Sequence, residues 1–521
     1  MNKIIKSAGI FAFWTLMSRI LGFARDILLA NILGATPLAE AFMVAFRLPN
    51  LFRRLFADGA LLAAIVPVYN RVRHEQGAQM ARQFSGVLFG WLLILCVMFS
   101  SILMLFMPQV VLGLAPGFAD RPELLKTTAM LALFSFPYLG FMVLSSFQGG
   151  ILNANGKFWA AAAAPILLNV MMIGALLLSE WQPELLESMG LSTAKLLVIA
   201  ISLAGFLQLM SLTIACANQG LIDYCQLPRL SPEVKQFYKL MLPGIIGMGV
   251  LQINMVIATQ IASTLDQGAI AYLYYADRLS QLPIGLIGVA LGTALLPKLG
   301  KALLNKDQAA QDYNFSRALE TGIILSFPAM IGLMILASPI INALFLHGAF
   351  TKADAAQTQN VTMMMALSVP PAIIIKICAS VFFAHEDTKT PMRLAMLAVA
   401  LNIPLAMLLG QFYGAAGIAL SSSLVAWLSL CLYGFLLKRR RWIFVDQALR
   451  QKLAGILIAN IAMAAGLWGL SWLVKDIMLP NIGQMIMLAV FILLALKLYF
   501  GLLISLKVIN WSDALSLIKR R

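Results

Sequence analysis

The feature that most constrains this chain is a series of apolar segments, each long enough to cross the hydrocarbon core of a bilayer. A helix needs about 20 predominantly apolar residues to do so. Of the 521 residues, 61% are hydrophobic and only 12% are charged, whereas soluble proteins are about 25% charged. The chain is therefore predicted to be an all-α polytopic membrane protein. Its fourteen candidate spans are 8–33, 38–68, 84–107, 124–152, 158–179, 194–217, 237–263, 267–297, 316–338, 359–384, 391–410, 414–437, 453–474 and 483–506.

The distribution of basic residues supports this count and orients the spans. Lys and Arg are enriched on the cytoplasmic side of membrane proteins. With the N-terminus inside, and with basic residues in the first three positions of a span counted with the adjoining segment, 25 of the 38 Lys and Arg residues fall in inside segments, 5 in outside segments and 8 within spans. Both termini are therefore predicted to be cytoplasmic. The net charge of +16 follows from the same bias, because the excess of basic residues lies mostly in short inside loops, where it can contact anionic membrane lipid. Nucleic acid is therefore not an expected partner.

A repeat relates two parts of the chain. Arg47 and Arg278 both lie in an Ala-x-Arg-Leu sequence, and Asn169 follows the first by 122 residues, as Asn402 follows the second by 124. Matching spacings over such distances predict two six-helix lobes, related by a pseudo-two-fold axis along the membrane normal. The predicted domains are residues 1–230, residues 231–438 and a C-terminal helix pair at 439–521.

Charged residues inside the apolar segments are the best guide to function. Arginine at the centre of a membrane helix costs about 2.5–3.5 kcal/mol on insertion scales, so several arginines should face a hydrated interior or pair with one another. Guanidinium groups bind phosphate bidentately and stay charged when buried, which favours a diphosphate or other polyanion. Lys376 and Lys497 lie nearer the ends of their spans and are expected to reach the membrane surface. The intramembrane arginines are Arg19, Arg25, Arg47, Arg53, Arg54 and Arg278, and the acids are Asp26, Glu40, Asp58 and Asp277.

Helical spacing predicts how these groups are arranged. Arg19 and Asp26 are seven residues apart and should project from nearly the same side of a helix. Arg47, Arg54 and Asp58 should form one stripe by the same reasoning. Because the acids are fewer than the arginines, the interior stays net positive even when every acid is paired. A structural alternative, in which buried ion pairs only fix helix packing, stays open.

No motif indicates enzymatic chemistry. The stretch GILNANGKF has five residues between Gly150 and Gly156 and lacks the Ser or Thr that a phosphate-binding loop requires. The three histidines are far apart, the five cysteines have no paired spacing, and no paired-carboxylate or Ser/His/Asp site stands out. No cofactor is expected, and energy must come from an ion gradient, the membrane potential or the substrate's own gradient.

Five motifs resemble those of the MurJ (MviN) family of bacterial lipid II flippases, which belongs to the MOP exporter superfamily. They are SRILGFARD at 18–26, AFRLPNLFRRLFADGA at 45–60, APGF at 115–118, YYADRLSQLPIGLIGVALGTALLPKLGK at 274–301 and DTKTPMR at 387–393. The resemblance covers essentially the whole chain. It implies fourteen helices, in two six-helix lobes that form a V and two final helices that line a groove for a polyprenyl tail.

The resemblance also implies a function and a site. Lipid II, the undecaprenyl-diphosphate-linked peptidoglycan precursor, would be turned from the cytoplasmic to the periplasmic leaflet of the inner membrane, and the cell-wall synthesis complex is a candidate partner. Some relatives hold sodium with an acid of the seventh span; residues 240–263 contain no acid, so metal content stays open. The family's substrate-binding positions fall on Arg19, Arg25, Asp26, Arg53 and Arg278, and supporting positions on Glu40, Asn50 and Asp58.

Three other functions stay open. A related exporter of polyprenyl-linked polysaccharide units or of drugs is the nearest, although a site for cationic drugs should be net acidic. A membrane-embedded polyprenyl-diphosphate transferase would need a general base or a metal cluster in the cavity. A non-transporting scaffold of wall synthesis would leave the buried arginines without a role.

Overall fold

A computed structural model describes residues 2–56, 60–224, 226–473 and 481–509. Regular structure in these ranges is helical throughout, which confirms the predicted all-α class. The chain folds into two compact units, Met1–Ala271 and Tyr272–Arg521.

The first unit is built around three sets of packed helices. Polar caps and prolines start several of them: the Thr36 side chain accepts a hydrogen bond from the Ala39 amide, and Pro37 follows directly. The helices are α1 (Asn2–Leu33), α2 (Pro37–Leu55), α3 (Leu61–Leu105), α4 (Met107–Leu114), a 3₁₀ turn (Pro116–Asp120), α5 (Pro122–Ser135), α6 (Pro137–Ala154), α7 (Phe158–Trp181), α8 (Pro183–Ser188), α9 (Thr193–Asn218) and α10 (Pro232–Ser263). Helix α7 packs on α1 and α9, α6 packs on α3 and α9, and α2 packs on α5.

The second unit continues with helices that include one π-helical segment. Its elements are α11 (Ala269–Pro283, which begins in the first unit), the π segment (Ile284–Gly288), α12 (Val289–Leu304), α13 (Gln308–Ile335), α14 (Ala337–Leu344), α15 (Lys352–Ala366), α16 (Val369–Ala384), α17 (Lys389–Arg440), α18 (Gln447–Leu473) and α19 (Asn481–Ser505). Helix α16 packs against α12, α13 and α17.

Two long helices are each broken at a glycine. Gly77 interrupts α3 with φ +90°, and Gly414 interrupts α17 with φ +58°. These are conformations that glycine adopts without the steric cost paid by other residues. The break in α17 falls at the first residue of the predicted twelfth span. Helix α3 carries the end of the second span and all but the last two residues of the third.

Ten helices within the described ranges are long and apolar enough to cross a membrane. The ten include the broken α17 once and leave out α1, α2 and α10, so the total of fourteen stays a prediction. The compact first unit includes α10, whereas the division predicted from the sequence repeat assigns that helix to the second lobe. The predicted lobe boundaries also stay a prediction.

The C-terminal helix pair packs on α13 through an apolar cluster and an ion network. The buried Tyr499 hydroxyl donates to the Ile324 carbonyl oxygen over 2.8 Å. The buried Glu320 carboxylate accepts hydrogen bonds from Arg317 and from Lys452 of α18. Within the second unit, α18 and α19 therefore both contact α13.

Candidate functional site

The charged pair in the SRILGFARD motif is buried. Arg25 is 6% exposed and Asp26 is 2% exposed. The Arg25 Nε and Nη2 atoms both donate to Asp26 Oδ1, over 3.0 and 2.7 Å. Two hydrogen bonds to one carboxylate offset part of the cost of removing both charges from water. The charges in this apolar helix therefore compensate each other locally.

Asn169 on α7 completes this cluster, although it was not among the site residues predicted from the sequence. Arg25 Nη1 donates to Asn169 Oδ1 over 3.0 Å and lies 3.8 Å from the sulfur of Met172. The Asn169 amide donates in turn to the Ser18 carbonyl oxygen, over 3.0 Å. A Cβ atom on Gly22 would lie 3.6 Å from Asn169 Oδ1, so the two helices approach closely here. The signal for Asn169 was its place in the repeat.

Arg19 differs from its neighbours in exposure. Arg19 is exposed, whereas Asp26, seven residues later, is buried. Residues 13–20 of α1 are more exposed than residues 25–33. Helix α1 becomes covered by its neighbours only towards its C-terminal end, and the shared stripe of the two side chains stays a prediction.

Glu40 on α2 interacts with the backbone of the turn that leads into α11. This carboxylate is 2% exposed and accepts hydrogen bonds from the amides of Gly268, over 2.9 Å, and Ile270, over 3.2 Å. Amides at the start of a helix have no partner within the helix, and a carboxylate there satisfies them. Arg121 donates to the Leu265 carbonyl oxygen of the same turn. From its sequence position Glu40 was expected to accompany the arginines, and this capping role was missed.

Two further α2 cations reach α10. Arg47 donates to the Thr259 hydroxyl, and Arg54 Nη1 lies 3.9 Å from the sulfur of Met255. Both arginines are half-buried. Their contacts with one helix agree with the predicted stripe along α2. Asp58, the predicted third member, lies outside the described residues.

Asn50 and Arg53 form a local pair on α2. Arg53 Nε donates to Asn50 Oδ1 over 3.3 Å, and the Asn50 amide donates to the Phe46 carbonyl oxygen over 3.1 Å. Arg53 and Arg54 are both half-buried, although adjacent side chains point in different directions around a helix.

Proline in α2 leaves a carbonyl group for another helix to satisfy. Pro49 has no amide hydrogen, so the Ala45 carbonyl oxygen lacks the hydrogen bond that it would otherwise accept from the amide of residue 49. The Ser135 hydroxyl donates to that oxygen over 3.2 Å. Such substitution is what permits proline inside membrane helices.

In the second unit, Arg278 and Asp277 lie side by side on α11. The Arg278 guanidinium lies over the Tyr274 ring, 4.7 Å from its centroid. Asp277 accepts a hydrogen bond from Gln281 over 3.2 Å. Both Asp277 and Arg278 are half-buried.

Lys376 is a basic residue whose position was predicted wrongly. It lies in the middle of α16 and its ammonium group donates to the Ile284 carbonyl oxygen, over 3.4 Å. That carbonyl opens the π segment, which follows Pro283 and ends at Gly288. The lysine therefore packs against another helix of its unit rather than extending to the membrane surface.

At the predicted cytoplasmic end of the second unit, Asp387 pairs with Arg440 over 2.5 Å and accepts from the Thr390 hydroxyl over 2.6 Å. Burial disfavours the charged carboxylate, but the hydrogen bonds from Thr390 and Arg440 outweigh it and hold the pKa of Asp387 well below its usual range. The His385 and Trp442 rings stack alongside, 3.9 Å between centroids. No group of three or more His, Cys, Asp or Glu residues that could hold a metal ion occurs in the described part of the chain.

Solved structures share this architecture. A structure described as "Lipid II flippase MurJ, inward closed conformation" matches with a TM-score of 0.78 and 26% identity, covering 95% of this chain and 99% of that one. An inward-facing multidrug resistance MATE transporter of the MOP superfamily matches with a TM-score of 0.65, covering 85% of this chain and 99% of the other. At 15% identity, the second match concerns the fold alone.

Sequence relatives agree with the first structure. A probable lipid II flippase MurJ from Rhizobium tropici is 39% identical over 86% of this chain and 84% of its own length. Its counterpart from Rickettsia prowazekii is 32% identical over 98% of this chain and 99% of its own length. The family model described as "Lipid II flippase MurJ" matches residues 29–491. The chain therefore belongs to the MurJ family of lipid II flippases.

Proposed function

We propose that this chain is a flippase that moves lipid II from the cytoplasmic to the periplasmic leaflet of the bacterial inner membrane by alternating access. Membership of the MurJ family supports the substrate. The observation that carries the mechanism is a buried guanidinium group, Arg25, held inside apolar helices by the Asp26 carboxylate, whose place an anionic head group can take. No covalent bond of the substrate is made or broken, so the protein is not an enzyme.

The cationic residues of α1, α2 and α11 are proposed to hold the diphosphate and the sugar-peptide head. Guanidinium groups offer paired donors to phosphate oxygens and stay charged in a poorly hydrated site. Glu40 is engaged by backbone amides, so it neutralises less of this positive charge than the sequence suggested. The proposed binding residues are Arg19, Arg25, Asp26, Arg53 and Arg278, with Arg47, Asn50, Arg54, Asp58 and Asp277 in support.

Alternating access needs helices that can change their bend. Candidates are the Pro49 region of α2, where a serine of α5 satisfies the freed carbonyl, and the π segment after Pro283. π-Helical segments within longer helices are frequent at functional sites. The polyprenyl tail is proposed to stay in lipid beside α18 and α19 while the head crosses.

The predicted topology places the protein in the inner membrane as a multi-pass protein with both termini in the cytoplasm. No cofactor is proposed, and coupling is assigned to the membrane potential or to a monovalent ion. Membrane lipid and the wall-synthesis complex are the proposed partners besides the lipid-linked precursor.

A depletion experiment tests the function. Cells that depend on this chain are depleted of it and complemented with the wild type, Arg25→Ala, or the exposed-arginine control Arg393→Ala. Lipid II on each leaflet is then measured with an impermeant probe. Wild type and Arg393→Ala should place lipid II outside, whereas Arg25→Ala should leave it inside at equal protein level.

Two results would contradict the proposal. Normal movement of lipid II to the outer leaflet in cells carrying Arg25→Ala would contradict the proposed role of the arginine in transport. A change in the mass of the lipid on incubation with the purified protein would favour the transferase alternative.

A further inference from the structure

We propose that Asn169 is a positioning residue for transport, which holds the Arg25 guanidinium in the orientation that receives the lipid II head. The inference rests on the proposed function of Arg25. Asn169 is 6% exposed and lies on α7, opposite the SRILGFARD motif of α1. It contacts that motif at two points, the Arg25 side chain and the Ser18 backbone.

The spacing within α1 explains how one side chain reaches both points. Ser18, Gly22 and Arg25 are separated by four and three residues, so they lie on one face of the helix. Gly22, the middle member, lies directly against the Asn169 amide, because a Cβ atom there would stand 3.6 Å from Asn169 Oδ1. Asn169 therefore spans two turns of α1 and sets the depth at which Arg25 lies against α7.

The amide group suits this role better than a carboxylate. Its oxygen accepts from Arg25 over 3.0 Å while its nitrogen donates to the Ser18 carbonyl oxygen over 3.0 Å, so the two bonds fix which way the group points. A neutral acceptor orients the guanidinium without neutralising it. Arg25 already pairs with Asp26, and a second carboxylate would compete directly with a phosphate oxygen.

The repeat provides a matched control residue. Asn402 occupies the repeat-related position on α17, is 2% exposed and accepts a hydrogen bond from the Ser421 hydroxyl over 3.1 Å. Replacing either asparagine by alanine removes a buried amide of the same size from a membrane helix. Asn169 contacts Arg25, which is proposed to bind substrate, whereas Asn402 contacts Ser421, in the segment of α17 that follows the break at Gly414.

The experiment measures binding of lipid II to the purified full chain in lipid nanodiscs, with thermal unfolding recorded in parallel. Asn169→Ala should weaken binding roughly tenfold, the effect of losing one hydrogen bond to a charged group. Asn402→Ala should bind like the wild type. In an Arg25→Ala background, Asn169→Ala should add no further loss, because the two residues act as one unit.

A second substitution separates positioning from packing. Asn169→Asp keeps the shape and the acceptor for Arg25, loses the donor to the Ser18 carbonyl oxygen and adds a competing negative charge, so binding should fall even where the unfolding temperature is kept. Wild-type binding by Asn169→Asp, equal losses for both alanine variants, or additive losses in the double variant would overturn the proposal. Wild-type binding by Arg25→Ala itself would instead remove the arginine role on which the proposal rests.

Discussion

At the scale of the residue, the ion pair of Arg25 and Asp26 shows how an apolar helix can carry charge. Each partner is nearly inaccessible, and the pair makes two short hydrogen bonds. Taking both ions out of water is costly, and their attraction repays this only with good geometry and further hydrogen bonds. Such a pair contributes little net stability, which favours a functional reason for its presence.

Substitutions of Arg25 and Asp26 should therefore affect the stability of the fold and the transport of lipid II separately. Asp26→Asn leaves the Arg25 charge without its carboxylate and should lower the free energy of unfolding by about 3 kcal/mol. Replacing both residues by leucine removes both charges and should restore much of that loss, while transport stays absent. Thermal unfolding of purified protein and the leaflet assay for lipid II measure the two effects. A stable double variant that still transports would exclude the pair from function.

Asp387 gives a prediction for pH at the same scale. Its pKa is lowered from the ordinary value of 3.8 by Thr390 and Arg440 against the opposing effect of burial. A carboxyl whose pKa is lower in the folded state stabilises the fold above its unfolded-state pKa, and that contribution is lost as the pH falls. Because both partners are partly exposed, Asp387→Asn should cost about 1 kcal/mol or less at pH 7.

The difference between wild type and Asp387→Asn should stay constant from pH 7 down to about pH 4, near the unfolded-state pKa of the carboxyl, and shrink as the pH falls further. Arg440→Gln should show the same trend, since it removes the partner rather than the acid. A difference that does not shrink below about pH 4 would mean that the pair does not stabilise the fold through charge.

At the scale of the element, the APGF motif fixes the 3₁₀ turn against α10. The Gly117 amide donates to the Ser263 hydroxyl over 3.0 Å. A Cβ atom on Gly117 would lie only 2.0 Å from the Ser263 carbonyl oxygen, which no side chain can accommodate without backbone movement. Together with Glu40 and Arg121, this contact holds the C-terminal end of α10 and the turn that follows.

Gly117→Ala should therefore destabilise the first unit, by about 1–3 kcal/mol. The matched control is Gly113→Ala in neighbouring α4, where a Cβ atom would meet nothing within 4 Å. That control should be neutral or slightly stabilising, because alanine favours helix more than glycine does. Thermal unfolding of the two purified variants measures the contrast, and equal effects would show that the close approach is not rigid.

The elements also show what sequence can and cannot predict here. Span positions follow from the length of apolar runs, and the stripe of Arg47 and Arg54 follows from helical periodicity, so both were accessible. The partners of Glu40, Asn169 and Lys376 include backbone groups. Which amides or carbonyls lack a helical partner depends on turns, prolines and π segments in other helices. No pattern around the side chain itself carries that information.

At the scale of the whole molecule, the asymmetric distribution of Lys and Arg predicts a single orientation in the membrane. It places the run Lys438–Arg441, at the end of α17, in the cytoplasm, and Lys352, at the start of α15, outside. Both Lys352 and Arg439 are exposed. A cysteine at either position should therefore react with a soluble reagent on its own side only.

The test starts from a variant in which the five native cysteines are replaced and transport is retained. In intact spheroplasts, an impermeant maleimide should label Lys352→Cys and leave Arg439→Cys unlabelled, because the bilayer separates the reagent from the cytoplasm. Permeabilised spheroplasts should label both, which shows that each thiol is accessible. Labelling of Arg439→Cys from outside would show that the orientation is opposite to the predicted one. An arginine-lined site in that orientation would not load lipid II from the cytoplasmic leaflet, where it is made, in the proposed direction.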